Sequence, residues 1–201
     1  MNQKNTQIIM GVDLSHSSHE SGIGLLNTHT RTCRTQHVVS QEDILSKVKE
    51  EQTKALLIDA PLSFPPSGTP WRACERALIK MNAHPLPLTL PSMQVLAKRG
   101  MKLKNAAKKV VPYIFETFPA ASFHILGFKK KPKTKLERTK AVRKLVEKYA
   151  ITVERELLSK DELDAFMCCL AGFCWMLGDY TQVKAENCCI ILVGKPRVKS
   201  L

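Results

Sequence analysis

Two short apolar runs, IIMGVD (8–13) and ALLID (55–59), each stop at an aspartate. Short runs of this kind, bounded by polar residues, read as buried strands, so Asp13 and Asp59 are both delivered to strand ends. A third run, VPYIFETFPAAS (111–122), carries Glu116 after Tyr113, Ile114 and Phe115. Pro119 is expected to close that strand. Neighbouring strands lie about 4.8 Å apart, so three such ends in one sheet could share a metal ion or a pair of ions. Carboxylates buried close together are costly, and a divalent cation is the usual relief.

A fourth acidic element differs in kind. Ser159 and Glu162 have the spacing of a capping box, which starts a helix at about residue 160 and sets Asp161 and Asp164 three apart on one face. From Ala165 to Leu177 the helix is apolar on nearly every side, so it must be buried against the sheet. Asp161 has a plainer explanation, since acids in a first turn suit the helix dipole. Asp164 lies past that turn, where burial demands a partner. Plain alternatives exist for the others too: Asp13 and Asp59 can fix the turns that follow them, and Glu116 can pair with Arg72 or Arg76.

Between these elements, 20–28 and 31–40 read as two strands joined by a tight turn at His29 and Thr30, a meander with the first. Ser40 caps a helix beginning QEDILSKVKEE, which leads to the Asp59 strand. Residues 61–70 hold four of the eleven prolines and form a loop. Residues 71–81 read as a helix, Ser92 to about Lys109 as a basic helix, and a lysine-rich loop at 128–132 precedes another basic helix from about Lys133. CCIILV (188–193) is the last strand. With 201 residues, 44% of them hydrophobic, the chain fits one domain with one core. It is read as a single domain over 1–201, with a basic helical insertion at about 71–110.

The net charge of +13 is concentrated. Residues 1–97 carry nine basic and eight acidic side chains, 149–201 carry six and seven, and 98–148 carry sixteen against three. A block so poor in interleaved acids suits a polyanion, bound by phosphate neutralisation and counterion release. Nucleic acid, DNA or RNA, is the expected partner, with Lys129, Lys130 and Lys131 as substrate contacts. Arg72 and Arg76, four apart on one helix face, could hold a phosphate or orient Glu116. Ser15, His16 and His19 follow Asp13 in a polar turn and are assigned no role. The seven cysteines show no zinc-ligand spacing and read as reduced thiols in a cytoplasmic protein, with Cys188 among those expected to act as small hydrophobes. The first seven residues lack a signal-peptide core, and the longest apolar run is too short to cross a bilayer, so no membrane association is expected.

GVDLS (11–15), IDAPLS (58–63), WRACERAL (71–78), FETFPAA (115–121) and DELDAF (161–166), in this order, resemble domain-of-unknown-function family 429, a family of predicted nucleases with an RNase H-like fold. Where that family shows Cys-Asp, this chain has Cys74-Glu75. The last motif is also similar to the end of Holliday-junction resolvases, whose paired helical aspartates help to bind metal. The resemblance implies an α/β, RNase H-like fold: a mixed five-stranded sheet, three antiparallel strands and then parallel ones, flanked by helices. It implies a nuclease using two Mg²⁺ or Mn²⁺ ions, with Asp13, Asp59, Glu116, Asp161 and Asp164 as ligands and Asp13 as the central one. Resolvases of similar fold act as dimers, which leaves a homodimer open here. The competing readings are a nucleic-acid-binding module that keeps the fold without the catalysis, and an actin-like phosphotransferase. The second is disfavoured by the absence of clustered glycines.

Overall fold

The computed structural model describes residues 7–15 and 19–194; His16 lies outside them. Strand β1 (Ile8–Asp13) pairs antiparallel with β2 (Ser21–Asn27), which pairs antiparallel with β3 (Thr32–Val38). Helix α1 (Gln41–Glu50) follows, its Ser40 N-cap and Asp43 forming a reciprocal capping box, and returns the chain to β4 (Ala55–Asp59), parallel to β1. The crossover from β4 to β5 (Tyr113–Glu116) carries α2 (Ala73–Lys80) and α3 (Pro91–Ala107). After α4 (Pro119–Ile125), α5 (Lys135–Tyr149) and the two-residue β6 (Thr152–Val153) comes the apolar helix α6 (Lys160–Met176). Strands β7 (Tyr180–Ala185) and β8 (Cys188–Val193) form a closing hairpin.

Among the described residues, all strands join one sheet in the order β6-β3-β2-β1-β4-β5-β8-β7. It is mixed and flanked by helices, as expected, but has eight strands rather than five. The three-strand meander and the parallel β4 and β5 are present; β6 extends one edge, and the β8-β7 hairpin extends the other beyond β5.

Strand alternation decides which side chains meet which helices. Met10, Val12, Leu14, Leu56 and Ile58 pack with α1 and α3 residues such as Ile44, Leu103 and Ala107. Ile9, Leu57 and Leu26 face the other way, against Phe166, Met167 and Leu170 of α6. Asp13 and Asp59 share the parity of Ile9 and Leu57, so both aspartates project on the α6 side.

Helix α6 lies unusually close to that face. A Cβ built on Gly11 would sit 2.2 Å from the Ala165 carbonyl oxygen, and one on Gly22 would sit 2.4 Å from that of Asp161. Only glycine permits this approach, which carries the acidic end of α6 down to the strand ends. Gly11→Ala is expected to push the helix off the sheet and cost about 3 kcal/mol, the scale of overpacking a well-filled core. Urea unfolding measures it, and a loss below about 0.5 kcal/mol would count against the packing account.

One expectation about the cysteines is overturned. Cys74 in α2 and Cys188 at the start of β8 are joined by a disulfide across a Cα separation of 6.1 Å. They stand 114 residues apart in the chain, and pairing depends on spatial proximity that sequence spacing does not show. Cys33, Cys168, Cys169, Cys174 and Cys189 are free thiols.

Candidate metal centre

Asp13 and Asp59 are register partners on the adjacent parallel strands β1 and β4. Asp164, one turn into α6, descends on them from the helix side. Each of the three offers a carboxylate oxygen, and these oxygens all lie within 4.8 Å of one another. Asp164 is buried, and its Oδ1 has no hydrogen-bond partner; its Oδ2 is ion-paired with Lys131.

The electrostatics follow from this crowding. Burial, and then the charge of Asp164, pushes the Asp13 carboxyl up to about 7 from an ordinary 3.8. Burial and Asp13 together push Asp59 well up. Asp164 is raised by burial, against the pull of the Lys131 ammonium. Lys131 is held above the usual lysine range despite its own burial, because Asp164, Asp59 and Asp13 all favour its charge. Lys131 and Lys160 together face three carboxylates, which leaves a net deficit of positive charge. The donor set is all oxygen and anionic, which suits a hard divalent cation. The orphaned Oδ1 of Asp164 is a ligand atom without a present use, so these residues fit such an ion.

Glu116 lines the same cavity as Asp13 and Asp59, and its charge helps raise Asp59, but it is outside the three-carboxylate group. Glu116 pairs in register with Ile58, and Ile58 packs on the α1 and α3 side of the sheet. Glu116 therefore differs in strand parity from Asp13 and Asp59, although all three reach one cavity at the strand ends. It meets Arg72, whose Nη1 donates to Glu116 Oε2 at 2.8 Å and to Ser63 Oγ at 3.0 Å. Glu75 accepts from the Arg72 backbone N–H at 2.7 Å and from its Nε at 2.9 Å. The Leu62 N–H donates to Glu116 at 2.9 Å, tying the cluster to the loop after β4. Arg72, 1% exposed, spends its guanidinium on these partners. Of the two roles its position suggested, phosphate holder or orienter of Glu116, the geometry matches the second. Burial raises the Glu116 carboxyl above its ordinary range even with Arg72 beside it.

Asp161 is outside the three-carboxylate group, although its charge helps raise Asp13. Arg76 is exposed and donates to the Trp71 carbonyl at 3.1 Å. Lys129 and Lys130 are exposed, while Lys131 reaches inward to Asp164. Two residues without an assigned role also come close. Lys160, at the start of α6, contributes charge to both Asp13 and Asp164, and Arg99 of α3 donates to the Ser15 carbonyl just past β1. Lys160 sits directly before the acidic motif, a signal visible in the sequence; nothing local in the sequence points to Arg99. Asp13 and Asp59 open onto a cavity of about 430 Å³ roofed by α2, α3 and the proline-rich stretch between them.

A family model described as "Protein of unknown function (DUF429)" matches residues 11–187. The chain belongs to this family. Among solved structures it is similar to that of Thermus thermophilus RuvC, at 13% sequence identity and a TM-score of 0.50, covering 86% of this chain and 97% of that one. At that identity the likeness speaks for the fold, which is RNase H-like. No curated protein matches the sequence. Among the described residues, no helix is long and apolar enough to cross a membrane.

Proposed function

We propose that this chain is a metal-dependent nuclease that hydrolyses phosphodiester bonds of DNA or RNA. The observation that carries this reading is the convergence of Asp13, Asp59 and Asp164, with one buried oxygen left unpartnered. The three aspartates would hold Mg²⁺ or Mn²⁺, two ions in the arrangement typical of such hydrolases. Bound there, such ions would supply an activated water and neutralise charge developing on the phosphate. Lys131 and Lys160 add positive charge at the rim. Arg72, Glu75 and Glu116 form a buried brace that fixes the loop leaving Asp59 and the start of α2, a positioning role.

The basic block supplies substrate affinity in this reading. Lys98, Lys102, Lys108 and Lys109 are exposed along and just after α3, as are Lys133 just before α5 and Lys135, Lys140, Lys144 and Lys148 along it. Lys129, Lys130 and Arg76 extend the same charge. We take residues 1–201 as one domain, with 71–110 as the basic insertion, cytoplasmic and open to homodimerisation.

A panel of labelled single-stranded, duplex, branched and RNA–DNA hybrid substrates tests the proposal. Cleavage of at least one is expected with Mn²⁺ or Mg²⁺ and none with chelator. Salt-sensitive binding without cleavage under any of these conditions would instead favour a nucleic-acid-binding module.

A further inference from the structure

The cavity beside the aspartates has a use that metal binding does not absorb. Asp13 and Asp59 open into one end of it, with Lys160 beside them; Glu75 and Glu116 also reach the wall, both ion-paired with Arg72, and Leu78, Leu86, Met93, Leu96 and Phe118 supply a broad apolar stretch. Leu86, a large apolar side chain, stands 57% exposed at this wall. Thr117 and His84 add polar atoms to the apolar stretch. A wholly apolar ligand would leave the carboxylates facing it without solvation, and a simple anion would leave the leucines and the phenylalanine uncovered. The occupant must carry a flat apolar body beside an anionic group that a cation can bridge to the aspartates.

We infer that this cavity is a nucleoside subsite, which receives one unstacked base and its sugar while the attached phosphate lies at Asp13 and Asp59. This deepens the nuclease reading and rests on it. The volume, about 430 Å³, falls within the roughly 300–1,000 Å³ of small-molecule sites. A base still paired and stacked in a duplex cannot enter such a pocket, so the substrate class is single-stranded nucleic acid, or a nucleotide turned out of its stack at an end, bulge or branch point. Phe118 offers a ring on which any base can pack, and base stacking of this kind tolerates every sequence.

The test uses small phosphodiesters that need no basic surface: the 5′ and 3′ p-nitrophenyl phosphodiesters of thymidine against methyl p-nitrophenyl phosphate, all with Mn²⁺. At least one thymidine ester is expected to exceed the methyl ester in kcat/KM by about tenfold or more, the scale of a filled apolar pocket. Ala120→Leu, which narrows the cavity, and Leu86→Asn, at an exposed position that spares the fold, are both expected to bring that ratio down towards one. Equal kcat/KM for thymidine and methyl esters, or a ratio unmoved in both variants, overturns the subsite while leaving the nuclease standing. If no ester is hydrolysed, the nuclease reading stands or falls on the polynucleotide panel. Calorimetry with thymidine 5′-monophosphate and with methyl phosphate, in Mn²⁺, then decides the pocket: tighter binding of the nucleotide, weakened in both variants, supports it, and equal or absent binding overturns it.

Discussion

The Asp13→Asn/Asp164→Asn double variant should cleave at least about a thousandfold more slowly than the native chain, and it should also be the more stable protein when metal is withheld at pH 8. The second half follows from linkage. Burial and the charge of Asp164 raise the Asp13 carboxyl from 3.8 to about 7, so between those values the folded protein keeps a proton that the unfolded chain has released. Its contribution to stability is fully present below about pH 4 and is lost as pH rises through about 7, a change of up to about 4 kcal/mol. Asp59 and Asp164 are raised in the same direction. Metal-free protein should therefore lose thermal stability from pH 5 to pH 8, and Mn²⁺ should restore it at the upper end by binding the folded state alone. Asparagines carry no charge to desolvate, so the variant should lose the metal response and keep only the part of the pH slope that buried Asp59 contributes. Thermal unfolding at the two pH values, with chelator and with Mn²⁺, measures both. A variant stabilised by Mn²⁺ as much as the native chain would sink the metal assignment.

The sequence made the ends of β1, β4 and α6 legible because each is a sharp boundary between apolar and acidic residues. It also carried the capping box at Ser159 and Glu162, which forms as read, with Ser159 accepting from the Glu162 N–H at 3.1 Å and Glu162 accepting from the Ser159 N–H at 2.9 Å. Strand parity was harder to see. Glu116 ends its strand as Asp59 does, yet its pairing with Ile58 gives it the opposite parity, and register between strands is a tertiary property. Pro119, expected to close a strand, is instead the first residue of α4, where its missing N–H costs nothing. Strand β7 escaped because it is an edge: along YTQVKA only Val183 is buried, too weak an alternation to stand out. The disulfide left no local trace at all.

Arg72→Met should cost about 3–5 kcal/mol of stability, and on the order of 10 °C in Tm for a chain of this size. Arg72 is almost wholly enclosed, and Glu75 and Glu116, both buried, depend on it for their charge. Methionine fills the space and strands two carboxylates. The loss should be pH-dependent with a definite sign. Burial already raises the Glu116 carboxyl above its ordinary range with the arginine present, and removing the arginine can only raise it further. The variant's deficit should then be largest at pH 8 and shrink as the medium is acidified and the stranded carboxylates take up protons. Neutralising the partners should also help, so Arg72→Met/Glu75→Gln/Glu116→Gln is expected to recover much of what Arg72→Met loses. Arg72→Lys should not, because a single ammonium cannot engage both carboxylates in the arginine's forked geometry. The same set separates the two roles open to Glu116. As a brace for the loop after β4, its replacement by glutamine should lower stability while leaving the Mn²⁺-induced rise in Tm close to native. A metal response that vanished in Glu116→Gln at unchanged metal-free stability would move Glu116 from the brace to the metal centre.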